Sequence, residues 1–348
     1  MELTRTLLVT AVSLLAAALA VLFVALLVER GVRDWRFART RRIRALYRPA
    51  VDAWYGTGGS ASESARVLAI PRRHRAAVAA LLVAPLEALS GEIVERCREL
   101  LEQLGMVDEW FRGLGDRRWW RRAEAAHYLG LARVLRASAD LVALLDDEHE
   151  EVRASAVSAL GRIRDPSTIP VLVSQLHAPR AQRVRVIGAL RDFGPAAAAH
   201  LARYGGEQPR EKAHVAGALA AIGSASVIGP LLEWSSDPDA TVRAASLAAI
   251  GSIGVDDRAY SFALQALSDQ SADVRAMAAR ALGRSGRADS ADHLERCLDD
   301  EWLVAAHAAR ALKQLGPPAH RHLERRAAQA GQGGELARQM LWEITSYA

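Results

Sequence analysis

The sequence predicts an all-α protein. It would be a right-handed α-solenoid of about seven helix pairs, preceded by a small helical region and one membrane-spanning helix. Three observations predict it. Leucine or isoleucine closes an alanine-rich segment at Leu129, Leu160, Leu190, Leu219, Ile250, Leu282 and Leu312, with spacings of 31, 30, 29, 31, 32 and 30. A helical pattern recurring near that period marks stacked helix pairs. Hydrophobic residues make up 51% of the chain but aromatics only 5%, so alanine, leucine and valine carry the apolar content, as closely packed helices require. Finally, Leu7–Val28 is an uncharged apolar run of 22 residues, about 33 Å as a helix and long enough to cross a hydrocarbon core of about 30 Å.

Residues 1–6 form a short tail ahead of the apolar run at 7–28. A cleaved signal peptide would have a shorter apolar core and a basic front. Here one arginine precedes the run, and Ala18-Leu19-Ala20, the cleavage-like triplet, lies inside it. The reading is an uncleaved transmembrane helix. Residues 29–48 carry eight arginines against Glu29 and Asp34. By the positive-inside rule the N-terminus faces out and the rest is cytoplasmic, giving a single-pass protein of the cytoplasmic membrane. Arg36, Arg39, Arg41, Arg42 and Arg44 of this collar could also meet anionic lipid headgroups; the plainer reading is that they fix topology. Ser13/Ala17 and Ala16/Ala20 have small-xxx-small spacing, which permits a homo-oligomer through the span. Residues 49–348 sum to −1, so the pI of about 9.6 reflects the collar and gives no support to a nucleic-acid partner.

Residues 49–115 do not follow the period and read as a helical region capping the solenoid's N-terminal face. "YGTGGSASES" is a loop ending in a helix cap at Ser60 or Ser62, Pro71 opens the next helix, and Pro85 interrupts it. Ile93, Cys97, Leu100, Leu101 and Leu104 share one face of a helix that Ser90 would cap and Gly105 would stop.

The repeats run over 116–335. In each, the residue before the anchor is small (Ala159, Ala189, Ala218, Ala249, Ala281 and Ala311, with Tyr128 the exception). The residue six before it is mostly small as well, with Val184 departing. Glycine stands four after the anchor at 194, 223, 254, 286 and 316, where a first helix would end; Arg164-Asp165-Pro166 stops the second unit instead. The second helix of a unit often closes on aspartate (Asp147, Asp237, Asp269, Asp300), placed to cap the next first helix. Seven before the anchor stands a cation: Arg122, Arg153, Arg183, Lys212, Arg243 and Arg275, with Ala305 in the seventh unit. Stacking lines these up as a structural inter-repeat ladder that pairs with those aspartates or with carbonyls of a neighbouring turn. Residues 336–348 read as a C-terminal capping helix after the break at "AGQGGE".

The segments "EVRASAVSALGRI", "TVRAASLAAIGSIG" and "DVRAMAARALGRSG" resemble HEAT repeats of the short bacterial type related to phycobilisome lyases, over about residues 116–330. The resemblance implies an α-solenoid whose usual role is protein binding. "LGMVDEWFRGLGDRRWWRRAEAAHYLG" behind an anchor also looks like a group of single-pass bacterial HEAT proteins encoded near membrane glycosyltransferases for surface polysaccharide.

In "DRRWWRR", Arg122 is the first rung, and Trp119 and Trp120 fall at the helix entry, where they staple the incoming chain or meet a partner. Trp234 is a further candidate for partner contact. Aromatics and cations do not continue to alternate as a base-stacking surface needs. Chemistry leaves few marks. His149-Glu150 is the one His-Glu pair, whereas hydroxylases of the deoxyhypusine type use several. His320 and His322 fall on different helix faces, and Cys97 and Cys297 lie on apolar faces without CxxC partners. There is no phosphate-binding loop, nucleophile elbow or HExxH. No enzyme, cofactor, metal or catalytic residue is expected. The expected function is a membrane-anchored cytoplasmic adaptor that binds another protein, such as a membrane glycosyltransferase or polysaccharide-assembly partner. The alternatives are a module binding anionic lipid or polyanion through the collar, and a lyase-like or metal-dependent HEAT enzyme.

Overall fold

A computed structural model describes residues 22–24, 27–30, 35, 38–205 and 208–346. Among these, every regular element is helical. They divide into two compact units, one ending at Gly113 and including 131–133, the other holding 114–130 and everything from Val134 onward.

The first unit contains α1 (38–56), α2 (Ala61–Leu68), α3 (Arg75–Val83), α4 (Glu92–Gln103) and α5 (Met106–Leu114). Ser60 caps α2 by accepting the Glu63 N–H at 3.4 Å. Pro71 precedes a 3-10 turn that leads into α3, and Pro85 falls in another that ends it. Gly91, with φ 78°, and not Ser90, is the N-cap of α4. Val94 joins Cys97, Leu100, Leu101 and Leu104 as the fully buried set of that helix, with Ile93 at its margin. The core is centred on Trp54, fully buried, whose indole N–H donates to Ser64 Oγ at 2.9 Å.

The expected membrane span requires correction. Most of 7–28 lies outside the described residues, and no described helix is long and apolar enough to cross a membrane. Helix α1, the longest near the collar, carries Arg39, Arg41, Arg42, Arg44 and Arg48, a charge density that excludes it from hydrocarbon. The single-pass placement with a cytoplasmic repeat region is therefore withdrawn.

The second unit is the repeat array. Its first helices are α6 (Trp119–Leu131), α8 (Glu150–Ile163), α10 (Arg180–Phe193), α12 (Pro209–Ile222), α14 (Ala240–Ile253), α16 (Ala272–Arg284) and α18 (Trp302–Gln314). Its second helices are α7 (Ser138–Ala143), α9 (Ile169–Ser174), α11 (Pro195–Tyr204), α13 (Ile228–Trp234), α15 (Asp257–Ala266), α17 (Ala291–Arg296) and α19 (Pro317–Ala327). Helix α20 (Gln332–Ser346) packs on α18 and α19. It begins within "QGGE", so the two glycines expected to break the chain are its first turn. Gly333 lies against Leu298 and Arg326, where no side chain would fit.

All seven anchors are fully buried. Each fills the groove between its own helix pair and the next, and full burial of a leucine side chain contributes about 2 kcal/mol. The small residues just before the anchors are buried too. The row six before is only half-buried in most units, and Val184 is 61% exposed. The five glycines after the anchors all take positive φ. In the second unit Arg164 takes a left-handed conformation, with φ 58° and ψ 38°, like Gly223, and Asp165 accepts the Ser167 N–H beyond it.

A further row sets the spacing of the first helices. The residue just after the anchor is Gly130, Gly161, Gly251 and Gly283 in four units. A Cβ on Gly161 would lie 2.8 Å from Ala189 Cα, and one on Gly283 would lie 2.7 Å from Ala311 Cα. Gly130 meets Ala159 and Gly251 meets Ala281 in the same way. Glycine after the anchor thus abuts alanine before the next anchor, backbone against backbone. Arg191 occupies this position in α10 and Ala220 in α12, so the α10–α12 joint lacks that contact.

Candidate functional site

The fourth residue of each first helix lies on the edge of the array where the inter-repeat turns run. At Arg122, Arg243 and Arg275 its charge is answered twice. The Arg122 guanidinium donates to Asp147 through Nε at 2.7 Å and Nη2 at 2.9 Å, while Nη1 donates to the Asp116 carbonyl at 3.0 Å. Arg243 repeats this on Asp269, at 2.9 and 2.8 Å, with Nη1 on the carbonyls of Asp237 and Pro238 at 3.0 Å. Arg275 does so on Asp300, at 2.7 and 2.6 Å, with Nη1 on the Asp269 carbonyl at 2.9 Å. Lys212 has no fork, and its bond among the described residues is to Asp237 at 2.7 Å. A planar guanidinium can hold a carboxylate in two parallel bonds with one edge and carbonyls with the other, whereas an ammonium lacks the fork and meets a carboxylate as a point charge.

The same aspartates brace the turn ahead of the following helix. Asp147 accepts the His149 N–H, Asp237 that of Asp239 and Asp269 that of Ser271, at 2.9–3.0 Å. They therefore act just outside the helix, and the N-caps themselves are His149, Asp239 and Ser271. The Arg122 bond holds the Asp147 carboxyl below its usual range, and Arg243 and Arg275 do the same to Asp269 and Asp300. At Asp237 burial pushes upward, but the Lys212 and Asp239 hydrogen bonds outweigh it and the net shift is downward.

The ladder is interrupted at α10. His177-Ala178 stands where the turns ahead of α8, α14, α16 and α18 carry aspartate, and Ala178 has φ −58°, ψ 164° against −59°, 145° for Asp147. The backbone is that of a rung, but the carboxylate is missing. Arg153 keeps its carbonyl contacts, to Asp147 at 2.7 Å and Glu148 at 3.1 Å. Arg183 reaches the Ala178 carbonyl at 3.4 Å. Beside this gap lies a recess of about 520 Å3 between the N-terminal ends of α10 and α12, lined by His177, Ala178, Pro179, Arg180, Arg183, Gln208, Arg210, Glu211 and His214. Burial, with Arg183 and Arg210 nearby, holds the His214 imidazole below its ordinary pKa. Its Nδ1 has no hydrogen-bond partner among the described residues.

The expected partner-contact residues divide. Trp119 is 36% and Trp120 52% exposed. They meet edge to face at 6.1 Å, Trp119 stacks on the His149 ring at 5.7 Å, and the Arg118 guanidinium lies over Trp120 at 5.9 Å. Trp234 is 8% exposed and packs under the Lys212 ammonium, 5.5 Å from the ring centre. It belongs to a rung and offers little surface. Trp302, at the first residue of α18, is 63% exposed. In the collar Arg39, Arg41, Arg42 and Arg44 are exposed, and Arg36 lies outside the described residues.

A cluster of Asp292, Glu295 and His322 went unread in the sequence because it joins α17 to α19 across a repeat. His322 is buried; its Nδ1 lies 2.7 Å from Glu295 Oε2 and 3.6 Å from Asp292. Arg325 sits 3.1 Å from the same Glu295 oxygen, and Arg321 Nε donates to His322 Nε2 at 3.3 Å. An imidazole with its proton on Nδ1 and a guanidinium already satisfy Glu295, so the group works as an inter-helix hydrogen bond and suits a cation poorly. Burial raises the Cys97 thiol to about 12 and the Cys297 thiol to about 11, where neither is a thiolate near neutral pH.

Comparison with known proteins agrees with this geometry. Residues 107–191 and 260–332 match a family model of HEAT repeats, and 227–255 match a second HEAT-repeat model. The chain carries HEAT repeats. No curated protein sequence matches it. Among solved structures, the CpcE–CpcF complex of phycocyanin lyase from Nostoc is similar at 20% identity, over 67% of this chain and 93% of that one, with a TM-score of 0.31. Human deoxyhypusine hydroxylase is similar at 20% identity, over 85% and 96%, with a TM-score of 0.30. Yeast importin-beta is similar at 11% identity, over 78% of this chain and 47% of its own, with a TM-score of 0.46. At these identities and scores, none of them carries an activity or partner to this chain.

Proposed function

We propose that the protein is an interaction scaffold that binds another protein along the ladder edge of its HEAT array. One observation carries the reading: Trp119, Trp120 and Trp302 are exposed, as are Leu135, Val184, Tyr204 and Trp342 in the same unit, and all three indoles stand in the first turn of a first helix on that edge. Tryptophan is usually well buried. Exposed indoles held on rigid helix ends are the kind of residue that dominates protein interfaces, because little entropy is lost when they dock. The stack on His149 and the edge contact between Trp119 and Trp120 hold the first pair in place before any partner arrives.

The test is crosslinked co-purification of the full chain beside Trp120→Ala/Trp302→Ala. Both positions are exposed, so the variant should keep its helical circular dichroism. A reproducible protein partner, lost in the variant, supports the reading. Recovery of the chain alone, or of the same partner with both forms, removes it.

A further inference from the structure

Helix α10 opens differently from its neighbours. The first helices α8, α14, α16 and α18 each begin behind an aspartate in the preceding turn, Asp147, Asp237, Asp269 or Asp300. That carboxylate offsets both the ladder cation and the positive end of the helix dipole. Helix α10 begins behind Ala178-Pro179, has no acidic residue in its first turn and no side-chain cap, and carries Arg180 and Arg183 there. These two arginines sit where the helix dipole disfavours cations. Arg210 approaches from the start of α12. Three guanidiniums and the imidazoles of His177 and His214 thus line one recess in which Glu211 is the only described carboxylate.

The recess, about 520 Å3, falls within the range of real ligand sites, about 300–1,000 Å3.

We propose that this recess receives the carboxylate side chains of an acidic segment of the bound protein, held by Arg180, Arg183 and Arg210. Arginine forks hold carboxylates in two parallel bonds. The proposal rests on the scaffold reading, since it names the chemistry of the partner. The recess lies on the same edge as the exposed indoles, so the two features act as an anchor point and a charge-selective point of one surface.

Fluorescence anisotropy tests it, using the full chain and a fluorescein-labelled oligoglutamate of about ten residues. Oligoglutamine and oligothymidylate of matching length serve as comparisons. Oligoglutamate should bind more tightly than both, and the affinity should weaken with salt. Arg180→Glu/Arg210→Glu should weaken it by about tenfold or more. The new acids fall in helix first turns, where charge of that sign is favourable, so folding should survive and circular dichroism checks it. Arg258→Glu, exposed on α15 outside the recess, should change the affinity by less than about twofold. Three results would overturn the proposal: no preference over oligoglutamine, no loss in the double variant, or oligothymidylate binding as tightly and lost with it. If a partner is still captured through the indoles, such a result removes the recess and leaves the scaffold. Peptide binding without any captured partner does the reverse.

Discussion

At the scale of residues, the array is stitched by side chains that each answer two neighbours. Arg275 holds carbonyls of the turn behind it and a carboxylate of the turn ahead, and both Arg275 and Asp300 are largely shielded, at 14% and 22% side-chain exposure. Asp300→Asn should therefore destabilise the protein by about 1–2 kcal/mol, between the values for an exposed and a fully buried pair. Chemical denaturation measures it. The pH dependence follows from the same rungs. Asp147, Asp269 and Asp300 have folded-state pKa values below the unfolded value of about 4, so protonation favours the unfolded chain. The stabilisation is whole above about pH 4 and is lost as the pH falls through the lower folded values. The thermal midpoint should be flat with respect to these groups near neutrality and should drop in acid. Asp300→Asn should reduce that acid dependence.

At the scale of elements, first helices approach as closely as glycine facing alanine permits. Gly283→Ala would push a methyl group to within 2.7 Å of Ala311 in α18. Backbone there cannot yield cheaply, and the cost should be about 1–3 kcal/mol. Gly217→Ala is its counterpart. Gly217 lies inside α12 with nothing within 4 Å of an added Cβ, and alanine there should stabilise the helix by about 0.5–1 kcal/mol. Opposite signs from one chemical change, read by thermal unfolding, would separate contact from propensity.

At the scale of the whole repeat unit, stability in such arrays is a sum of repeat and nearest-neighbour terms, so one weak joint matters locally. The turn ahead of α10 lacks the rung aspartate, and the α10–α12 joint lacks the packing glycine. Ala178→Asp should supply the missing carboxylate to Arg153, whose carbonyl contacts already hold it in the rung position. The expected gain is about 0.5–1 kcal/mol for a part-exposed charged pair. It should appear as a higher thermal midpoint with slower amide hydrogen exchange in α8 and α10. An unchanged midpoint would show that the rung geometry does not carry over to this turn.

The sequence by itself determined the repeat, its period, the buried anchors and the cations of the ladder. Each is a residue type recurring at fixed spacing, and helical periodicity turns spacing directly into a shared face. The glycine after the anchor recurs in the same way; it went unread because glycine usually signals a helix end, and only neighbouring backbones reveal it as a contact. Tertiary structure alone decided which arginine edge meets a carboxylate, that Trp234 packs under Lys212 while Trp120 stays exposed, and that Gly91 caps α4. It also decided that His322, Glu295 and Asp292 converge, and that a recess lies between the N-terminal ends of α10 and α12. The described helices also overturned the membrane placement read from the apolar run. Apart from the local cap at Gly91, those outcomes depend on distances between segments far apart in the chain, such as Arg122 and Asp147. Spacing along a chain fixes the face a residue occupies, but not what the next repeat brings against it.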